Sequence, residues 1–220
     1  MKRLTEQTGL SPWRNGGRIA MAGAKTSVKD RILQTALPLF AAQGFRATGI
    51  DRIIATSGVA KASFYRHFPS KDDLILACLE RWHVSHFAAL KVRAEEGDAK
   101  GRPLAVFDVL AVLAGEDAFR GDLLITAMVE FGQAQRAIAD LVDSARQQMR
   151  DWFETLLSDA GFADLAEGLS YEWLLLYEGA MVGRLRGGDE APARRARASA
   201  ERSLQQIQLK RLLSKTLPVG

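Results

Sequence analysis

The sequence predicts an all-α protein of about nine helices. Apolar residues recur at intervals of three and four along most of its 220 residues. No segment alternates apolar and polar residues with the period of two that a half-buried strand needs, and the breaks between periodic stretches are short and marked by glycine. From Ser27 onward, Val28, Ile32, Leu33, Ala36, Leu37 and Phe40 lie on one helical stripe, which Gly44 ends in the C′ position. Pro38 inside that stripe removes a backbone hydrogen bond, at a cost of about 3 kcal/mol in an ideal helix, yet the stripe continues through Phe40. Thr48 is placed to cap the next helix, with Asp51 in the capping-box position and Ile50, Ile53 and Ile54 as its apolar face up to Gly58. A second short helix, Val59 to about Tyr65, follows after a tight turn. Ser70 and Asp73 form the capping pair of a longer helix running to about Ala94, with Leu74, Ile75, Cys78, Leu79 and Trp82 on its buried face. Past a break at 97–102, further helical patterns cover roughly 103–114, 120–134, 136–159, 163–186 and 192–215.

Composition narrows the function classes. Apolar residues at 47% and charged residues at 25% are those of an ordinary globular chain. No stretch approaches the roughly 20 continuous apolar residues of a membrane span, and the basic start of the chain has no apolar run behind it, so neither a membrane partner nor a signal peptide is expected. Cys78 stands alone, which excludes an internal disulfide and a cysteine zinc cluster and fits a reducing cytoplasm. Residues 1–26 read as a polar, basic, aperiodic arm. Residues 1–86 carry 13 Lys/Arg against 6 Asp/Glu, a balance of +7, whereas the remainder carries 17 against 20, a balance of −3. Such asymmetry points the first part towards a polyanion.

Two short helices joined by a glycine turn, behind a longer supporting helix, make a three-helix helix-turn-helix unit. Gly58 supplies the left-handed conformation of the turn. Val59, Phe64 and Phe68 are spaced to anchor the second helix against Ile53 and Ile54. That leaves Lys61, Ala62, Ser63, Tyr65, Arg66 and His67 facing outward, a concentration of donors and basic groups on a helix that fits the major groove of double-stranded DNA, about 12 Å wide. Arg46, Thr48 and Lys71 flank this surface, with Tyr65, His67 and Lys71 suited to phosphate contacts, and the start of the helix at Lys71 offers backbone N–H groups to phosphate as well.

The segment Ile32-Leu33-Gln34-Thr35-Ala36-Leu37-Pro38-Leu39-Phe40 with Gly44-Phe45, and the segment Gly58-Val59-Ala60-Lys61-Ala62-Ser63-Phe64-Tyr65-Arg66-His67-Phe68 with Ser70-Lys71, resemble the first helix and the turn with recognition helix of the TetR family of bacterial regulators. About 60 residues, 27–86, share the spacing. Ala60 stands where that family often has Ser, and Ala62 where it often has Gly, which adds a methyl able to touch a thymine methyl. The resemblance implies a DNA-binding domain at 27–86 and an all-α effector-binding and dimerisation domain at 87–220. It further implies a ligand-responsive homodimeric repressor on a palindromic operator, with no cofactor and no enzymatic activity.

In the second half, aromatic residues are dense. Phe107, Phe131, Trp152, Trp173 and Tyr177, with Phe119 and Phe153 among them, are core residues by default and pocket residues if a small apolar or amphipathic effector enters between the helices. Glu130, Gln133, Glu172 and Glu178 lie near that set, and Glu130 is taken with the pocket. Trp173, Leu176, Gly179, Ala180 and Gly183, together with Ala200, Leu204 and Ile207 of the last helix, form stripes that the resemblance implies pair with a second copy of the chain. Two other readings stand beside this one. The first is a DNA-binding protein of the same kind without a small-molecule effector. The second is an all-α enzyme using His83, His86 or Glu130 as acid–base groups. His83 and His86 have metal-like i, i+3 spacing but no third ligand, so no metal is expected.

Overall fold

The structure is a computed structural model and describes residues 27–114, 122–187 and 190–216. The basic arm 1–26 and Phe119 lie outside the described residues. Nine α-helices are found among the described residues: α1 Val28–Gln43, α2 Ile50–Ser57, α3 Lys61–His67, α4 Lys71–Ala94, α5 Arg102–Ala114, α6 Leu123–Phe131, α7 Arg136–Leu157, α8 Ala166–Gly187 and α9 Ala191–Thr216. A π-helical turn, Ser158–Phe162, continues from the end of α7. No described helix is long and apolar enough to cross a membrane. Pro38 is accommodated within α1.

The described residues divide into two compact units, 27–89 with 122–147, and 90–114 with 148–216. Residues 122–147 therefore pack with the helix-turn-helix rather than with the C-terminal part to which a boundary at residue 87 assigns them. Helices α4 and α7 each contribute residues to both units.

The first unit is built around α1. Ser27 caps it by accepting from the Asp30 N–H at 3.0 Å, and Ile32, Leu33, Ala36 and Phe40 bury one face. Arg81 of α4 donates to Asp30 at 2.6 Å. The Ser27 hydroxyl, and after it the Arg81 guanidinium, hold the Asp30 carboxyl below the usual carboxylate range. Along α4, Leu74, Ile75, Cys78, Leu79 and Trp82 are buried, the stripe read from the sequence. Burial pushes the Cys78 thiol up, so it is held as a protonated, inert core side chain. His86 is buried and stacked on Trp82, ring centroids 4.6 Å apart. Desolvation, and then the neighbouring His83, drive its pKa down to about 3, so the ring is neutral at neutral pH.

The second unit centres on Phe153 of α7. Its ring lies 5.9 Å from Trp173, 6.0 Å from Phe107 and 6.4 Å from Tyr177, and all four side chains are buried. Aromatic pairs in this range add about 0.5–1.5 kcal/mol each beyond the area they bury. Arg197 of α9 donates to Asp108 of α5 at 2.7 Å and to Glu201 at 2.9 Å, and these carboxylates, Asp108 first, raise its pKa. Helices α8 and α9 meet closely at one point: a Cβ built on Gly183 comes within 2.7 Å of the Pro192 ring. Gly183 thus serves a close approach within the chain. Gly183→Val is expected to lower stability by about 1–3 kcal/mol through overpacking against the stiff Pro192 ring, read by urea unfolding at equilibrium.

Candidate nucleic-acid interface

The corner between α1 and α2 sets where the interface lies. Gly44 ends α1 with φ 83°, and its N–H donates to the Phe40 carbonyl at 2.8 Å. Thr48 is fully buried, and its hydroxyl donates to the Gly44 carbonyl at 2.7 Å and to the Leu39 carbonyl at 3.3 Å. Thr48 is therefore neither the cap of α2 nor a DNA contact. The N-cap is Gly49, with no side-chain hydrogen bond. The reason is that the Gly44 carbonyl, just past the end of α1, has no helical partner of its own, and the Thr48 hydroxyl satisfies it by turning inward. Asp51 pairs instead with Lys61 across the surface at 3.4 Å, both side chains well exposed, a contact of small energetic weight.

The turn into α3 follows the sequence expectation. Gly58 adopts the left-handed conformation, φ 62° and ψ 25°, and its N–H donates to Ile54 at 3.1 Å. Val59, Phe64 and Phe68 are buried with Ile53, fixing the roll of α3. Lys61, Ala62, Tyr65 and Arg66 are consequently exposed, and Ser63 and His67 are half-buried. Arg66 donates to Ser63 Oγ at 2.9 Å, which pre-orders one basic side chain on the outer face.

At the start of α4 the capping pair is reciprocal, as its sequence spacing predicts. The Ser70 N–H donates to Asp73 at 2.9 Å, and the Asp73 N–H donates to Ser70 Oγ at 3.1 Å. One amide expected to face phosphate is thus already occupied, and Asp72 and Asp73 place acid in that first turn. Lys71 is half-buried and donates to the Arg46 carbonyl at 3.1 Å, leaving two of its N–H donors for other partners. Arg46 is exposed, its guanidinium 5.7 Å from the Phe131 ring centroid.

The residues assigned to an effector pocket do not stay together. Phe107, Trp152, Trp173 and Tyr177 belong to the second unit, whereas Glu130 and Phe131 belong to the first. Phe131 packs on Phe45 with ring centroids 5.8 Å apart. The Glu130 carboxylate accepts from the backbone N–H groups of Phe45 and Arg46 at 2.8 and 2.7 Å, so its partner is the helix-turn-helix backbone. This role, separated by 84 and 85 residues in sequence, escapes any local pattern. The one available signal is an acid in the last turn of an otherwise nearly apolar helix, where the helix dipole disfavours it.

The stripes assigned to pairing between copies also move. Trp173, Ala180, Ala200 and Leu204 are buried within the chain, and Leu176, Gly183 and Ile207 are half-buried. Gly179 of that set is exposed on α8, together with Tyr171, Leu175 and Val182, and Leu209, Leu212 and Leu213 are exposed on α9. Residues 173 and 175 are two apart, or about 200° around the helix, so exposed Leu175 lies nearly opposite buried Trp173.

The model of the N-terminal domain of bacterial regulatory proteins of the tetR family matches residues 32–78, spanning α1, α2, α3 and the first turns of α4. This stretch of the chain is thus similar to the TetR family of bacterial regulatory proteins. An HTH-type transcriptional regulator of Bacillus subtilis, YerO, is 39% identical over 75 residues, covering 34% of this chain and 25% of that one. The HTH-type transcriptional repressor NemR of Escherichia coli is 31% identical over 81 residues, 36% of this chain and 41% of its own. These curated TetR-type relatives are therefore matched over less than half their length. A TetR-family transcriptional regulator from Streptomyces coelicolor, SCO4454, extends the likeness of fold: its crystal structure superposes with a TM-score of 0.75 at 29% identity, covering 81% of this chain and 95% of that one.

Thr48→Val, which keeps the shape and removes the hydroxyl, is expected to cost about 1–3 kcal/mol in chemical unfolding by stripping the buried end of α1 of its donor. Below the unfolding transition, the affinity of this variant for duplex DNA should match wild type; weaker binding by the folded variant would make Thr48 a phosphate contact after all.

Proposed function

We propose that this chain is a TetR-type, ligand-responsive homodimeric transcriptional repressor of the cytoplasm, binding a palindromic operator in double-stranded DNA through α3. The observation that carries the reading is the division of α3 between a buried Phe64 and an exposed face of Lys61, Ala62, Tyr65 and Arg66. Such a helix presents base-reading and phosphate-binding groups on one side of a fixed support. The first part of the chain carries the excess positive charge that phosphate neutralisation calls for.

Dimerisation is supported by an exposed apolar face. Tyr171, Leu175, Val182, Leu209, Leu212 and Leu213 are 43–62% exposed on α8 and α9, more apolar surface than a solvent-facing pair of helices has reason to carry. One short recognition helix reads few base pairs, and two placed about 34–36 Å apart read half-sites one turn of DNA apart.

The small apolar or amphipathic effector is placed among the aromatic residues of the second unit. The Trp173 Nε1–H is buried there with no acceptor, a donor whose burial costs about 1–3 kcal/mol unless something accepts from it. An effector acts only through its unequal affinity for two conformations, with a coupling of about 1–3 kcal/mol in typical cases. Helix α4, with residues in both units, is the element on which that difference would act.

Binding to the DNA flanking its own coding region, in competition with random duplex, tests the reading directly. Specific retention is expected, and binding no tighter than to random sequence would refute it. Lys71→Ala and Tyr65→Phe are expected to weaken binding to all sequences alike, Lys71→Ala lowering the slope of log affinity against log salt by about one. Leu175→Glu is expected to yield a folded monomer by sedimentation, with operator affinity reduced at least tenfold; an unchanged dimer would move the interface off this face.

A further inference from the structure

Helix α6 is nearly apolar from Leu123 to Val129 and then carries Glu130 in its last turn. Two local effects oppose a carboxylate there. It sits at the negative end of the helix dipole, and it lies beside Arg46 and Lys71, where its charge would repel an approaching phosphate. What it gains is a pair of backbone donors, the N–H groups of Phe45 and Arg46 at 2.8 and 2.7 Å. These are the two residues that follow Gly44, the C-cap of α1.

The surroundings are built to that contact. A Cβ at Gly44 would stand 2.5 Å from Glu130 Oε1, so the carboxylate occupies the space of a missing side chain. The neighbouring Phe131 holds the Phe45 ring at 5.8 Å and the Arg46 guanidinium at 5.7 Å. Lys71 completes the arrangement by donating to the Arg46 carbonyl at 3.1 Å. Arg46 is therefore held at its N–H by Glu130, at its C=O by Lys71 and along its side chain by Phe131. All of these residues belong to the first unit.

We infer that Glu130 is a positioning residue for DNA binding: its carboxylate clamps the Phe45–Arg46 backbone and thereby sets the Arg46 and Lys71 cations, an inference that rests on their proposed role as phosphate contacts. Electrostatics and positioning predict opposite signs. Removing a negative charge beside the phosphates strengthens binding if charge dominates, and removing the clamp weakens it if positioning dominates.

The full-length protein and its Glu130→Gln, Glu130→Ala, Arg46→Ala and Glu130→Ala/Arg46→Ala variants decide between them. Glu130→Gln is isosteric, keeps one acceptor and turns an N–H₂ donor towards the second amide; it serves if Glu130→Ala does not fold. The readouts are amide exchange at Phe45 and Arg46 without DNA, and affinity for a fluorescent duplex of arbitrary sequence across a salt series. Faster exchange at both amides, binding about tenfold weaker, and a salt slope lowered by about one are expected in both Glu130 variants. The double variant should lose less than the sum of the two single losses, because Glu130 acts in part through Arg46. Unchanged amide exchange would overturn the inference, as would faster exchange with unchanged or tighter binding, and in either case DNA binding by wild type would stand. Wild-type protein that binds no duplex at low salt would overturn the DNA-binding reading and this inference together, an outcome recognised without any variant.

Discussion

The corner at the end of α1 is the constraint from which the geometry of the helix-turn-helix follows. A helix that stops leaves carbonyls without partners, and the chain leaving it brings unpaired N–H groups. Here each is met by a different part of the molecule: the Gly44 N–H by Phe40, the Gly44 carbonyl by the Thr48 hydroxyl, and the Phe45 and Arg46 amides by Glu130. With the corner fixed, α2 starts in one direction. The left-handed Gly58 then turns the chain once more, and Phe64 sets the roll of α3.

The same corner explains why a nearly apolar helix ends on an acid. Most of α6 buys stability by burial, with Leu123, Leu124, Ile125, Ala127 and Phe131 all inside. Glu130 is an exception that isolated helix energetics disfavours, and a half-buried acid beside a basic face would be a poor choice if charge alone mattered. Its two hydrogen bonds to main-chain amides are charge-assisted and therefore stronger than neutral ones.

What was legible in the sequence was what is local. The stripe of α1, the glycine turn, the Ser70–Asp73 cap and the outward face of α3 depend on neighbours within a few residues, so periodicity and turn chemistry expose them. Thr48 misled because the pattern Thr-x-x-Asp has two uses, and only the unpaired Gly44 carbonyl at the end of α1 decides between capping forward and bonding backward. Helix α8 misled differently. It is apolar on two nearly opposite sides, and a single sequence does not say which side the chain covers itself; the Phe153 cluster takes Trp173, leaving Leu175 outside. Glu130 was invisible for a third reason, since its partners are backbone groups, which have no identity in a sequence.

The make-up of the first unit has a consequence for how the protein comes to be. Its residues are not contiguous: the helix-turn-helix emerges from the ribosome early, but the carboxylate that closes its corner is encoded more than eighty residues later. At synthesis rates of about 5–20 residues per second, α1 to α3 exist for several seconds before α6 is available. During that interval the Phe45 and Arg46 amides are left to water. The nascent chain thus has its recognition helix before it has the part that holds Arg46 in place.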